Sequence, residues 1–172
     1  MPGNRSVRIN RHRGFTVIEI SIVFAIVALL ATMAVMVYAN YTLKNRINAC
    51  IRDIQLFEQS IKAYQLEHGA PPDSLSDLGA VTLYSTIGGT KQTAPFLDPW
   101  GNPYRYLNLV NDHPPAYPNA RRDKNNHPLS SDYDLYSMGA DGVTAKPVNN
   151  GPGADDIIRA NDGGYIGLGA GY

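Results

Sequence analysis

The residues best suited to chemistry stand near the front of this 172-residue chain, in Arg13-Gly14-Phe15-Thr16-Val17-Ile18-Glu19. From Ile20 to Ala39 no charged residue follows. A run of that length is enough for the hydrocarbon core of a bilayer, which takes about 20 helical residues. One carboxylate, Glu19, sits at its front edge, and ahead of it Arg5, Arg8, Arg11 and Arg13 stand without a single acid. A lone carboxylate in hydrocarbon is costly and asks for a functional explanation. A secretory signal fits poorly, because its apolar region is shorter and ends in a small-residue cleavage site. A plain single-pass anchor explains the apolar run and the basic flank but leaves Glu19 unexplained.

A second group of acids lies near the other end. Asp141 follows Ser137-Met138-Gly139-Ala140, and Asp155-Asp156 follows a stretch rich in Gly, Pro and Asn. Carboxylates on a glycine-rich loop suit a hard cation such as Ca²⁺, which accepts irregular oxygen geometry. The EF-hand spacing is absent. On spacing alone, an acidic solvated turn is the stronger reading.

Catalysis has little support. His12, His68, His113 and His127 are dispersed, with no nucleophile–base spacing, phosphate-binding glycine motif or zinc spacing around them. Cys50 is the single cysteine, which excludes an intrachain disulfide and reads as a small apolar residue on a helix face. Residues 1–14 hold four of the fifteen basic residues and none of the fifteen acids, leaving eleven basic against fifteen acidic, a net of −4 for the remainder. Such a body lacks the basic patch of a nucleic-acid binder.

Gly14-Phe15-Thr16-Val17-Ile18-Glu19 resembles the start of type IV pilins and type II secretion pseudopilins. The resemblance implies that prepilin peptidase cuts between Gly14 and Phe15, that Phe15 is then N-methylated, and that Glu19 is the assembly glutamate. The free amine of Phe15 is a natural partner for Glu19, within one subunit or between neighbours in a filament. A wrong register would bury an unpaired charge, so the pair would set the axial step. The basic leader keeps the N-terminus cytoplasmic and places the rest outside the inner membrane. Many members carry a proline two-thirds along the apolar run; Met36 stands there, so a straighter helix is expected.

Asp98-Pro99-Trp100-Gly101-Asn102-Pro103-Tyr104 and Tyr133-Asp134-Leu135-Tyr136-Ser137-Met138-Gly139-Ala140-Asp141-Gly142 resemble the head of the major pseudopilin. That resemblance implies a calcium ion in the final loop, held by the side chains of Asp141, Asp155 and Asp156 and the carbonyl of Met138.

The elements that must position these groups follow from periodicity. After Asn40, Ile47, Ile51, Ile54, Phe57, Ile61 and Tyr64 step by three or four, one apolar stripe of a helix. Lys44, Arg46, Arg52, Asp53, Glu58 and Lys62 are placed on its other faces. Gly69 and Pro71-Pro72 end it. Phe15 to His68 would make a helix of about 80 Å at 1.5 Å per residue. Beyond it, residues 73–78 read as a short helix capped by Asp73. Residues 79–95 read as a loop, and Tyr104–Leu107 and Tyr133–Ser137 as strands. Residues 111–131 read as a surface insertion, and the Gly/Tyr-rich tail from Asp162 as a flexible or partner-dependent arm. Trp100 is expected to pack on the helix rather than to bind sugar.

The expected fold is α+β and pilin-like, a long N-terminal helix on a small antiparallel sheet. Its parts are a cleaved leader (1–14), a membrane-spanning and assembly half-helix (15–39), an amphipathic half-helix (40–69) and a periplasmic head with a Gly-rich tail (70–172). The expected function is assembly, not catalysis. The chain would be a type II secretion pseudopilus subunit that polymerises with itself and helps drive exoprotein export. Its partners would be prepilin peptidase, the inner-membrane assembly platform and minor pseudopilins. The rivals are a type IV pilin serving adhesion, motility or DNA uptake, and a membrane-anchored binding domain that never polymerises.

Overall fold

The computed structural model describes residues 14–85, 89–110 and 118–172. The leader ahead of Gly14, and parts of the 79–95 loop and the 111–131 insertion, lie outside the described residues. Two units are distinguished, Met1–Tyr41 and Thr42–Tyr172. Helix α1, Val17–His68, contributes to both.

In the first unit α1 is apolar on every face after Glu19. Phe24 is 70% exposed, Leu29 60% and Val35 70%. A helix apolar all round and bare all round needs lipid or other chains around it. The stretch is long and apolar enough to cross a membrane. Met36 occupies an ordinary helical position, with no break in α1.

The second unit is built on a four-stranded antiparallel sheet in sequential order: β3 (Arg105–Asn108), β4 (Tyr133–Ser137), β5 (Ile157–Ala160) and β6 (Tyr165–Leu168). Register is set by Tyr106 opposite Leu135, Tyr136 opposite Ile158 and Ile158 opposite Gly167. A separate hairpin, β1 (Val81–Leu83) with β2 (Thr90–Gln92), lies where a loop was expected. Its three-residue strands are too short for periodicity to betray them.

Side chains alternate between the two faces of the sheet, and both faces are covered. Cys50, Ile54, Phe57 and Ile61 of α1 meet Tyr133 and Leu135 of β4 and Ile157 of β5 on one face. Phe57 is wholly buried, with Phe96 and Tyr104 edge-on at 5.1 and 5.2 Å between ring centroids. Trp100 packs against this cluster. On the other face Ile158 and Ala160 of β5 meet Leu129 and Val148, with Tyr136, Tyr165 and Tyr172 beside them.

Three expectations are corrected here. The described part of the insertion is largely exposed over residues 122–127 but anchored at both ends, where Ala120, Arg121, Leu129 and Ser130 are buried and Leu129 packs on the second face of the sheet. The tail is not a flexible arm, because residues 165–168 pair with β5 in a regular ladder. The short turn Leu75–Leu78 is capped by Ser74, not Asp73, in a reciprocal box with Asp77.

Candidate functional site

At the front of the chain, Gly14, Phe15 and Thr16 precede the first turn of α1 and are exposed. The Gly14–Phe15 bond thus lies in non-helical, accessible backbone. Thr16 and Glu19 close a capping box. The amide and hydroxyl of Thr16 each donate to Glu19 Oε2 at 2.8 Å, and the Glu19 amide donates back to Thr16 Oγ1 at 3.3 Å. Thr16 thus occupies Oε2 of the carboxylate expected to seek the Phe15 amine. The signal was in the sequence, since Thr-x-x-Glu ahead of an apolar run is a helix-start pattern.

At the head, the two motifs that carry the resemblance interlock. Asp98 is buried, and its Oδ1 accepts from the amides of Trp100 and Asn102 at 2.9 and 2.8 Å. Its Oδ2 accepts from the Ser137 hydroxyl at 2.5 Å, and Asn102 Nδ2 donates to the Gly139 carbonyl at 3.0 Å. The Pro/Gly turn at 98–103 is thereby bolted to the end of β4, where the acidic loop begins.

The three carboxylates named for calcium carry other partners. Asp155 Oδ2 accepts from the amides of Ala140 and Asp141 at 3.0 and 3.2 Å. Asp141 is exposed, and its Oδ1 accepts from the Val143 amide at 2.8 Å. Asp156 is fully buried and paired with the Arg121 guanidinium through Oδ2, which also accepts from the Thr144 hydroxyl at 2.5 Å. Met138 is buried. Gly139, at φ +64°, lets the two arms of the loop touch; a Cβ there would collide with the Asp155 carbonyl oxygen and lie 2.6 Å from its Oδ2.

As they stand these residues are not a cation's donor set. One oxygen of each of these carboxylates is already turned onto a protein donor. A divalent ion on Asp156 would share one carboxylate with a guanidinium, a like-charge contact in a buried place. Among the described residues no group of three or more His, Cys, Asp and Glu side chains could hold a metal ion. One acceptor, Asp156 Oδ1, is buried without a hydrogen-bond partner. Burial pushes the Asp156 carboxyl up, against the opposing pull of Thr144 and Arg121.

Periodicity missed the polar groups that join helix to head. Asp53 was placed on an outer face of α1 but is fully buried. Its Oδ1 accepts from the Tyr84 amide, and its Oδ2 accepts from the Ser85 amide at 2.8 Å and the Tyr104 hydroxyl at 3.1 Å. Burial raises its carboxyl above the usual range, while those donors pull it down. Arg159 of β5 donates to Glu58 of α1 at 2.5 Å and to both oxygens of Asp132 at 2.8 and 2.9 Å, and its guanidinium lies 4.0 Å from the Tyr133 ring centre. These pairs are separated by up to 101 positions, and nothing local signals them.

Residues 9–35 match the prokaryotic N-terminal methylation motif, and residues 38–117 match the family of type II secretion system protein G. The type II secretion system core protein G of Pseudomonas aeruginosa is 29% identical over 138 residues, covering 75% of this chain and 84% of that protein. That of Aeromonas hydrophila is 29% identical over 56% of this chain and 73% of its own length. A type IV major pilin protein PilE1 of Neisseria gonorrhoeae is 34% identical over 45% of this chain, which spans only 47% of that pilin. No solved structure matches. A methylation motif opening an exposed apolar helix, joined to a head similar to protein G, gives this chain its likeness to type IV pilin-like proteins of the major pseudopilin kind.

Proposed function

We propose that this chain is the major subunit of a type II secretion pseudopilus. The carrying observation is the reach of the similarity: it extends over 75% of the chain for a protein G but only 45% for a pilin. Prepilin peptidase removes residues 1–14 at the exposed Gly14–Phe15 bond, and Phe15 becomes the methylated N-terminus. Residues 15–39 hold the subunit in the inner membrane, with the basic leader on the cytoplasmic side. Residues 40–69 form the amphipathic half of the helix, and residues 70–172 form the periplasmic head.

On leaving the lipid, the bare apolar surface of α1 is buried against other copies. Each fully buried Leu, Ile, Val or Phe contributes about 1.5–3 kcal/mol, which makes a polymer the natural end state. Cutting after Gly14 creates a cation next to Thr16, and Glu19 passes from its own capping box to the amine of Phe15, which sets the register of the filament. The assembly platform and the minor pseudopilins are the further partners. The subunit does its work by assembling and performs no catalytic step.

The test is deletion of the gene, scored for exoprotein secretion and for surface fibres in the same strain. Loss of secretion with fibres unaffected supports the proposal. Loss of surface fibres with normal secretion assigns the chain to pilus building instead. Persistence of residues 1–14 in the mature protein overturns both.

A further inference from the structure

The Asn/Pro-rich insertion brings a positive charge into the head. Arg121 belongs to the Asn/Pro-rich insertion and is 3% exposed. Its amide donates to Asp134 Oδ2 at 2.6 Å, and its carbonyl accepts from the Leu129 amide at 3.1 Å, so its backbone is held against the sheet. The guanidinium lies over Tyr136 at 4.0 Å from the ring centre, a cation–π seat. From there one arm donates to Thr144 Oγ1 and another to Asp156 Oδ2, while the Thr144 hydroxyl donates to the same Asp156 oxygen. Thr144 and Asp156 are the two sides of the acidic loop, and Arg121 links them.

We infer that Arg121 is the resident cation of the C-terminal loop, doing with a side chain what a bound divalent ion would otherwise do. Three observations converge on it. The guanidinium neutralises the buried acid of the loop. It joins the loop's ends through Thr144 and Asp156. The remaining acids each give one oxygen to backbone amides, Asp155 Oδ2 to those of Ala140 and Asp141 and Asp141 Oδ1 to that of Val143. Arginine suits the position because its planar fork reaches two acceptors at once and stacks on an aromatic face, which a lysine ammonium does not do. The consequence is a head whose closed loop does not depend on the supply of calcium. This stands apart from the proposed role in secretion, because it concerns only how the head holds itself together.

The test uses the full chain in detergent micelles, with thermal unfolding followed by circular dichroism in millimolar calcium and in EDTA. The wild type is expected to melt at the same temperature in both, and a rise with calcium overturns the proposal. Arg121→Met is expected to melt about 10 °C lower, because a buried acid is left without its partner. Adding Asp156→Asn to that variant is expected to recover part of the loss, since the amide needs no counter-cation. An Arg121→Met protein that melts like the wild type, or a double variant with no recovery, overturns it. Should Arg121→Met yield no folded protein, Arg121→Met/Asp156→Leu is still expected to fold, and its failure also counts against the proposal.

Discussion

The hydroxyl of Ser137 donates a 2.5 Å hydrogen bond to the buried carboxylate of Asp98, across 39 positions of sequence. The Ser137 oxygen in turn accepts from the Gly139 amide at 3.1 Å. Two motifs that look unrelated in the sequence are one mechanical unit, a turn bolted to a strand end. Asp98→Ala removes the acceptor of three hydrogen bonds and strands their donors in a buried site. The expected loss is about 2–4 kcal/mol, read as a lower midpoint in urea unfolding with unchanged slope. A midpoint within error of the wild type would show that the turn holds itself.

Arg159 holds the sheet to the helix through Glu58 and Asp132, with a side chain only 4% exposed. Arg159→Leu is expected to cost about 2–3 kcal/mol, because charge-assisted hydrogen bonds are the stronger kind but both acids keep some contact with water. A cycle with Glu58→Gln should show coupling, since the two residues meet directly. Additive losses would mean that Asp132 alone carries the interaction.

Cys50 is fully buried, and burial pushes its thiol up to about 12. Thiolate is the reactive form, so almost none exists at pH 8. Maleimide labelling of the native chain at that pH is expected to be negligible and to become complete in denaturant. Prompt labelling of the native protein would contradict the packing of α1 on the head.

Glu19→Ala is expected to abolish filament assembly while leaving the melting temperature of the head unchanged. Glu19 lies in the unit that ends at Tyr41 and makes its hydrogen bonds with Thr16. Thr16→Val should weaken the first turn of α1 by about 1 kcal/mol, the usual worth of an N-cap. Filaments of normal abundance and length from Glu19→Ala subunits would sink the assembly role.

Much of the fold is legible from local pattern. The reach of α1 follows from an unbroken helical period, its Gly/Pro stop and the Thr16/Glu19 start. Strand β4 shows as Tyr133–Ser137 to the residue, because an apolar and aromatic run bounded by polar turns has few other readings. Strands β1 and β2, at three residues each, fall below what a period of two can reveal. The candidate site divides the same way. Gly14, Phe15 and Glu19 announce themselves by position. The partners of Asp141, Asp155 and Asp156 do not, because a carboxylate on a glycine-rich loop looks the same whether it faces an amide, a guanidinium or an ion.

Local pattern alone dictates a bare apolar helix with one acid at its head, an amphipathic continuation and a small acidic body. These rest on spacing within a turn or two, where each residue's neighbours are its sequence neighbours. Only the fold brings Leu129 and Tyr172 onto a core, since the sheet face on which they pack exists only once β3 to β6 have paired. It also decided that Arg121 meets Asp156 across 35 positions and that Arg159 meets Glu58 across 101. Such pairs are chosen by burial, which leaves a charge no water to turn to and makes its protein partner decisive.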